Sequence, residues 1–348
     1  MARGRGRLSG LLLILSSAIL LSSSSSSLAN ASGHRSLLQD SSVDDAAKAR
    51  ALAASLKGSL PNIAKFGYGG CCGITGDNRK GIVSPPLKWK GGAAGASPAA
   101  TAATAAAAAI AATPLAPTGV LKLGLAAGAG RDGYVYVPST YSPEVPTPLI
   151  VALHGANKTA FNGMATVADA AAAAGAIVVA PSSRDAATWD MFGGGYGSDV
   201  AYINASIAMV SDLYNVDPTR VAIQGFSDGA TYALSLGLAN GKGVFSHVIA
   251  FSPGGLAPPR LSGSPGVFVS AGTEDEIFPK SVADAVVCQL VSNQYPVTFA
   301  EFKGGHSVPT RIANTAVTWF VSDAAPVLDI PAGLCDAGGG AAGPVAGP

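Results

Sequence analysis

Ser227 stands at the centre of Gly225-Phe226-Ser227-Asp228-Gly229. A serine hydroxyl is a weak nucleophile at neutral pH. It attacks a carbonyl only when a base takes its proton and an acid orients that base. Small residues two before and two after the serine permit a sharp strand-to-helix turn that leaves Oγ free. Gly225 and Gly229 occupy those positions. The preceding Val221-Ala222-Ile223-Gln224 reads as a buried strand, and Tyr232 to Leu238 is helix-forming. A chain with 44 glycines produces the five-residue pattern by chance, so its flanks carry the signal.

The base must come from four histidines. His34 lies in the processed or flexible leader, just past the expected cleavage site. His154 ends a strand before the serine and reads as a structural hydrogen-bonder. His247 opens a strand. His306 sits in the loop Gly304-Gly305-His306-Ser307, between the last strand and the last helix. Where a serine elbow tops a parallel sheet, acid and then histidine follow in chain order. That order selects His306 over the plainer reading of a surface loop histidine. The acid is expected in Gly272-Thr273-Glu274-Asp275-Glu276-Ile277-Phe278-Pro279, where three neighbours compete. Like-charge crowding favours one desolvated, paired acid and two in water.

A tetrahedral oxyanion needs preorganised donors. The backbone N–H of Asp228 lies at the start of the following helix. The N–H of Ala156, in the turn after Leu153-His154-Gly155, is the second candidate. The Asp228 side chain also suits a helix N-terminus. Phe226, Met191 and Phe192 are candidates for an acyl-pocket wall. This chemistry calls for no cofactor and no metal, and the chain has no C-x-x-C pair or histidine near its cysteine pair to hold zinc.

The elements that must position these groups alternate. Gly133–Pro138 reads as an edge strand. Pro148–Gly155, Ala176–Pro181, Val221–Gln224, His247–Ser252, Gly266–Ala271 and Val297–Phe302 read as strands, and Asn162–Ala174, Asp199–Tyr214, Ser281–Ser292 and Val308–Phe320 as helices. Apolar strands alternating with helices predict a mostly parallel sheet covered by helices on both faces. Chemistry then belongs at the carboxyl ends of the strands, where Ser227, Gly155 and Gly272 fall.

The domain read this way spans about 120–325 of the 348 residues. Arg3, Arg5 and Arg7 precede the apolar run Leu8–Leu21, then a serine run and Ala29-Asn30-Ala31. That is the shape of a secretory signal peptide over 1–31, with an organelle transit peptide or an uncleaved anchor as alternatives. Residues 32–90 form an N-terminal extension with a short helix at 43–60 and the pair Cys71-Cys72. Residues 91–119 are an Ala/Gly/Thr/Pro linker, and 326–348 a flexible tail. Four cysteines allow up to two disulfides with three connectivities, and the adjacent pair should reach distant partners. Cys288 has a plain alternative as a buried thiol. The net charge of +1 and the lack of a basic block argue against nucleic acid. No run in the domain approaches the roughly 20 apolar residues of a membrane span.

The domain resembles the phospholipase/carboxylesterase branch of the α/β-hydrolase fold, near the secreted polyhydroxybutyrate depolymerase and feruloyl esterase group. The resemblance covers about 130–322. It rests on Leu153-His154-Gly155, and on Trp189-Asp190 followed by Gly197-Ser198-Asp199-Val200-Ala201-Tyr202-Ile203. It continues through Val216-Asp217-Pro218-Thr219-Arg220-Val221, the elbow, Ala250-Phe251-Ser252-Pro253-Gly254, Gly272-Thr273-Glu274-Asp275 and Phe302-Lys303-Gly304-Gly305-His306. It implies Asp275 as the acid, because the family's acid is the last residue of G-T-x-D. Ala271 departs from relatives that carry histidine there, at a position outside the catalytic set. The implied activity is cleavage of a small-molecule or lipid carboxylic ester. Feruloyl ester, polyester, lysophospholipid and thioester are the alternative substrates, and a catalytically silent extracellular binding module is the rival of another class.

Overall fold

The computed structural model describes residues 81–86, 117–126, 131–193, 195–322 and 330–336. The leader, the 43–60 helix, Cys71-Cys72 and most of the linker lie outside these residues.

Eight strands form one sheet. They are β1 (Gly119–Lys122), β2 (Tyr134–Val137), β3 (Thr147–Leu153), β4 (Ile177–Ala180), β5 (Val216–Phe226), β6 (His247–Phe251), β7 (Gly266–Gly272) and β8 (Val297–Phe302). Their order across the sheet is β1-β2-β4-β3-β5-β6-β7-β8. The pairs β1–β2 and β2–β4 are antiparallel, and the remaining five are parallel. This is the α/β-hydrolase fold. The helices are α1 (Ala160–Ala174), α2 (Ser198–Leu213), α3 (Asp228–Ala239), α4 (Lys280–Ser292) and α5 (Thr310–Ser322).

Strand side chains alternate between two cores, as the pleat demands. Leu149, Val151, Leu153, Val221 and Ile223 face α2, α3 and α4. Ile150, Ala152 and Ala222 face α1 and α5. Burial on both faces explains why these strands read as continuous apolar runs.

Two expectations need correction. The strand at Tyr134–Val137 is not the edge: β1 pairs outside it, Gly119 opposite Val137 and Lys122 opposite Tyr134. Four residues beside an Ala/Gly-rich stretch carry too little pattern to stand out as a strand. The elbow strand also begins earlier than Val221. Val216 pairs with Thr147 before a register shift brings Val221 opposite Leu149, and that irregularity around Pro218 hid the continuity.

Described segments on either side of the domain in sequence, 81–86 and 330–336, dock on it. Asn240, at the end of α3, accepts the Val83 N–H at 2.9 Å and donates to the Gly81 carbonyl at 2.6 Å. Val83 is buried in the α2–α4 core. Cys335, within the stretch read as a tail, is bonded to Cys288 of α4. Cys288 is therefore not a lone buried thiol, and Ile330 and Leu334 pack on the same core. Among the described residues no helix is long and apolar enough to cross a membrane.

Candidate active site

The elbow is built where β5 meets α3. Ser227 takes φ 58° and ψ −124°, a left-handed φ that only a forced turn imposes on serine. The turn brings the two glycines into contact. A Cβ on Gly225 would lie 2.0 Å from the Gly229 carbonyl oxygen, and one on Gly229 2.5 Å from the His154 oxygen. Neither position has room for a side chain. Ser227 is 8% exposed, and its N–H is tied to the Phe251 carbonyl at 3.0 Å.

The acid and histidine loops leave adjacent strands, β7 and β8, and are knitted together. A Cβ on Gly272 would meet the Gly304 and Gly305 oxygens at 2.4 Å, so only glycine allows this approach. The Thr273 N–H bonds the Phe302 carbonyl and the Glu274 N–H the Gly304 carbonyl, each at 2.9 Å. Of the three acids, the structure buries Asp275 to 6% exposure and leaves Glu274 and Glu276 in water. Asp275 Oδ2 lies 2.7 Å from His306 Nδ1. Its Oδ1 accepts the N–H groups of Ile277 (2.9 Å) and Phe278 (2.8 Å), which hold the carboxylate in place. Nε2 of His306 is buried without a hydrogen-bond partner among the described residues.

Packing returns His306 to the elbow. Its ring lies 4.8 Å from that of Phe226, the residue before Ser227, and 5.3 Å from that of Phe278. Phe278 in turn covers Gly254 so closely that a Cβ there would lie 2.6 Å from the ring. Met191 and Phe192, the other proposed wall residues, pack partly buried against the α2–α4 core.

The β3 turn faces the serine. A Cβ on Gly155 would sit 3.3 Å from Ser227 Cβ. Ala156 follows, half-buried, and Asn157 takes a left-handed φ of 56°. His154 lies beneath the turn. Its Nδ1 is 2.8 Å from the Gly155 carbonyl, and its Nε2 accepts the Ser183 N–H at 3.0 Å. Burial pushes its pKa down to about 4, so the ring is neutral, donates at Nδ1 and accepts at Nε2. Both nitrogens are committed to backbone. Asp228 places its carboxylate against the Thr188 hydroxyl at 2.6 Å. Burial raises this carboxyl, while that hydrogen bond and the charge of His306 act the other way.

One supporting group escaped the sequence reading. Asp190 and Asp199 clasp each other through backbone. The Asp190 N–H donates to Asp199 Oδ2 at 2.7 Å, and the Asp199 N–H to Asp190 Oδ2 at 3.0 Å. Asp190 Oδ1 also accepts the Tyr232 hydroxyl of α3 at 2.7 Å. Trp189, Tyr232 and Tyr196 stack beside the clasp, with centroids 5.2 and 5.8 Å apart. The signal was present in Trp189-Asp190 and Gly197-Ser198-Asp199, but only folding gives it meaning.

With this geometry in hand, residues 126–259 match the family described as "Putative esterase". The matched stretch holds Ala156, Ser227 and Asp228, whereas Asp275 and His306 lie beyond it. A bifunctional acetylxylan esterase/xylanase of Neocallimastix patriciarum is 30% identical over 165 residues. That alignment covers 43% of this chain and 22% of the relative, so the chain spans about a fifth of that protein's length. Among solved structures, a fluorophosphonate-binding serine hydrolase of Staphylococcus aureus is 18% identical, with TM-score 0.47 over 59% of this chain and 98% of that one. An acetyl xylan esterase from Aspergillus awamori is 18% identical, with TM-score 0.44 over 58% and 98%. The strand order is that of an α/β-hydrolase, and residues 126–259 of this domain are similar to the esterase family.

Proposed function

We propose that the chain is a serine hydrolase of carboxylic esters with Ser227, His306 and Asp275 as its catalytic set. The observation that carries this reading is the half-buried His306 ring. It is bonded at Nδ1 to Asp275, has Nε2 uncommitted, and packs on Phe226 beside the strained serine. A base so held keeps the tautomer that presents a lone pair at Nε2.

In the reaction, Ser227 Oγ bonds to the ester carbonyl carbon while Nε2 takes its proton. The carbonyl electron pair moves onto oxygen, facing the N–H groups of Asp228 and Ala156. Asp275 stabilises the imidazolium. Collapse expels the alcohol oxygen, which receives the Nε2 proton. Water, deprotonated by the same nitrogen, then attacks the acyl-serine. The second collapse releases the acid and returns the proton to Oγ.

Ser227→Ala should lower turnover by on the order of 10⁵–10⁶ with the fold retained, and abolish labelling by a fluorophosphonate. Wild-type activity in that variant would sink the assignment. Folded wild-type protein that neither labels nor hydrolyses any ester would favour the silent binding module. Acetyl and feruloyl esters come first in a substrate screen, followed by polyester, lysophospholipid and thioester. The acetylxylan esterase relative supports the acetyl arm.

We further place the protein in the secretory route, on the shape of residues 1–31 and the Cys288–Cys335 disulfide. Expression with its own leader in a eukaryotic host should release a chain beginning at Ser32 into the medium. Retention of the full chain inside the cells would refute this.

A further inference from the structure

Three consecutive residues, Ala187-Thr188-Trp189, touch both sides of the proposed oxyanion site. The Ala187 carbonyl accepts the Asn157 N–H at 2.7 Å, directly after Ala156. The Thr188 hydroxyl donates to Asp228 Oδ2 at 2.6 Å, on the elbow. The Trp189 indole N–H donates to the His154 carbonyl at 2.9 Å, two residues before Ala156. Two of these contacts thus flank Ala156 in the chain, and the third holds Asp228. The segment is itself anchored at both ends. The Ala187 N–H bonds Asp185 Oδ1 at 2.7 Å, and the Asp190 N–H bonds Asp199 Oδ2. Trp189 is 1% exposed and Asp228 3%.

The sheet alone leaves this distance open. β3 and β5 are neighbours in register up to Leu153 and Gly225. Beyond that pair both chains depart into irregular turns, one through Asn157 and one through Ser227, each with left-handed φ. The paired register of the two strands ends there. We propose that Ala187-Thr188-Trp189 is a gauge that sets the separation of the Ala156 and Asp228 donors, with Thr188 as a positioning residue. The proposal rests on the ester-hydrolase reading above. Thr188 needs no contact with substrate. Its hydroxyl fixes the elbow to the same backbone that fixes the β3 turn, so the two N–H groups keep one spacing as charge develops between them. A donor held out of place loses its effect on the transition state while leaving ground-state binding almost untouched.

The test is a set of variants assayed on one chromogenic ester. Thr188→Val keeps the shape and removes the hydroxyl. It should lower kcat by about 100-fold, as misplacement of a catalytic group does, with KM within about threefold, the mark of an interaction made in the transition state. Thr188→Ser should restore most of the rate. Asp228→Ala removes the acceptor from the other side and should cost a similar factor. The double variant should lose little more than either single, since one contact is being removed twice. Affinity for a boronic acid transition-state analogue should fall in step with kcat/KM. Wild-type kcat in Thr188→Val or in Asp228→Ala would overturn the gauge. So would a loss seen only in KM, failure of Thr188→Ser to recover, or fully additive losses. Where Thr188→Val fails to fold, Asp228→Ala and Thr188→Ser carry the decision. If wild type neither labels with fluorophosphonate nor cleaves any ester, the hydrolase reading and the gauge fall together. If wild type is active and the variants match it, the gauge falls alone.

Discussion

Gly225 and Gly229 meet backbone to backbone across the elbow, with 2.0 Å between an imagined Cβ on the first and the carbonyl oxygen of the second. That closeness is what forces Ser227 into its left-handed conformation. The strain is held by the surrounding sheet and helix, where Val221–Gly225 and all of α3 are buried.

Gly225→Ala should therefore destabilise the domain by at least about 3 kcal/mol, the upper range for overpacking a filled site. Urea unfolding followed by circular dichroism measures it. Gly193→Ala is the control. A Cβ there meets nothing within 4 Å, and its effect should stay within about 0.5 kcal/mol, as for ordinary surface changes.

Asp275 holds His306 through one oxygen and two backbone N–H groups through the other. Asp275→Asn keeps an acceptor for the backbone and loses the charge and the tautomer control. Turnover should fall by about 10⁴ with the far-ultraviolet spectrum unchanged. Glu274→Gln and Glu276→Gln, both on exposed positions, should leave kcat near wild type. A large loss in either would move the acid off Asp275.

Two buried groups set opposing pH dependences. His154, lowered to about 4 from 6.5 by burial, stays neutral when folded and takes a proton when unfolded. Acidification from pH 6.5 to 4 therefore costs stability. Asp199, raised to about 6 chiefly by burial, keeps its proton in the fold above the unfolded value of 3.8. Its contribution is present at low pH and is lost as pH rises through 6. The two partly cancel between pH 4 and 6. Asp199→Asn no longer titrates. Its stability relative to wild type should improve by roughly 2 kcal/mol between pH 4 and 7, read from urea midpoints at the two pH values. A difference that stays flat would show that Asp199 is already ionised in the fold throughout that range.

The Cys288–Cys335 bond closes a loop across a sequence separation of 47 residues. Cys335→Ser should cost about 2–4 kcal/mol, seen as a lower melting temperature that reductant no longer shifts. Ester turnover at room temperature should hardly change, because α4 and its partner turn lie apart from Ser227 and His306 in every contact described above.

How much of this was legible beforehand differs by element. The central strands and five helices could be read to within a few residues, because burial on both sheet faces leaves unbroken apolar runs such as Leu149–Leu153 and Val267–Ala271. β1 was not legible. Four residues at a sheet edge need little apolar pattern, and their pairing with β2 depends on where the chain arrives. The clasp of Asp190 and Asp199 escaped for a related reason. Each carboxylate accepts a backbone N–H across eight intervening residues, and that of Asp190 also accepts the Tyr232 hydroxyl from another helix, and no spacing rule encodes that.

The opening pattern around Ser227 shows the same division. Residue type and order determined the chemistry on offer: a serine between two glycines, a later acid cluster and one loop histidine beyond it. Those are properties of the chain because tight turns need glycine and nucleophilic catalysis needs a hydroxyl, a base and an acid. Residue chemistry alone left three acids open and the resemblance pointed to Asp275; the physical reason for that choice lies in three dimensions. Close approach at Gly272 knits the two loops, buries Asp275 and leaves its neighbours in water. The link from Thr188 to the elbow was likewise invisible in one dimension, because 40 residues separate it from Asp228. Contacts of that range are set by the register of the strands and the paths of the turns between them, which local propensity does not specify.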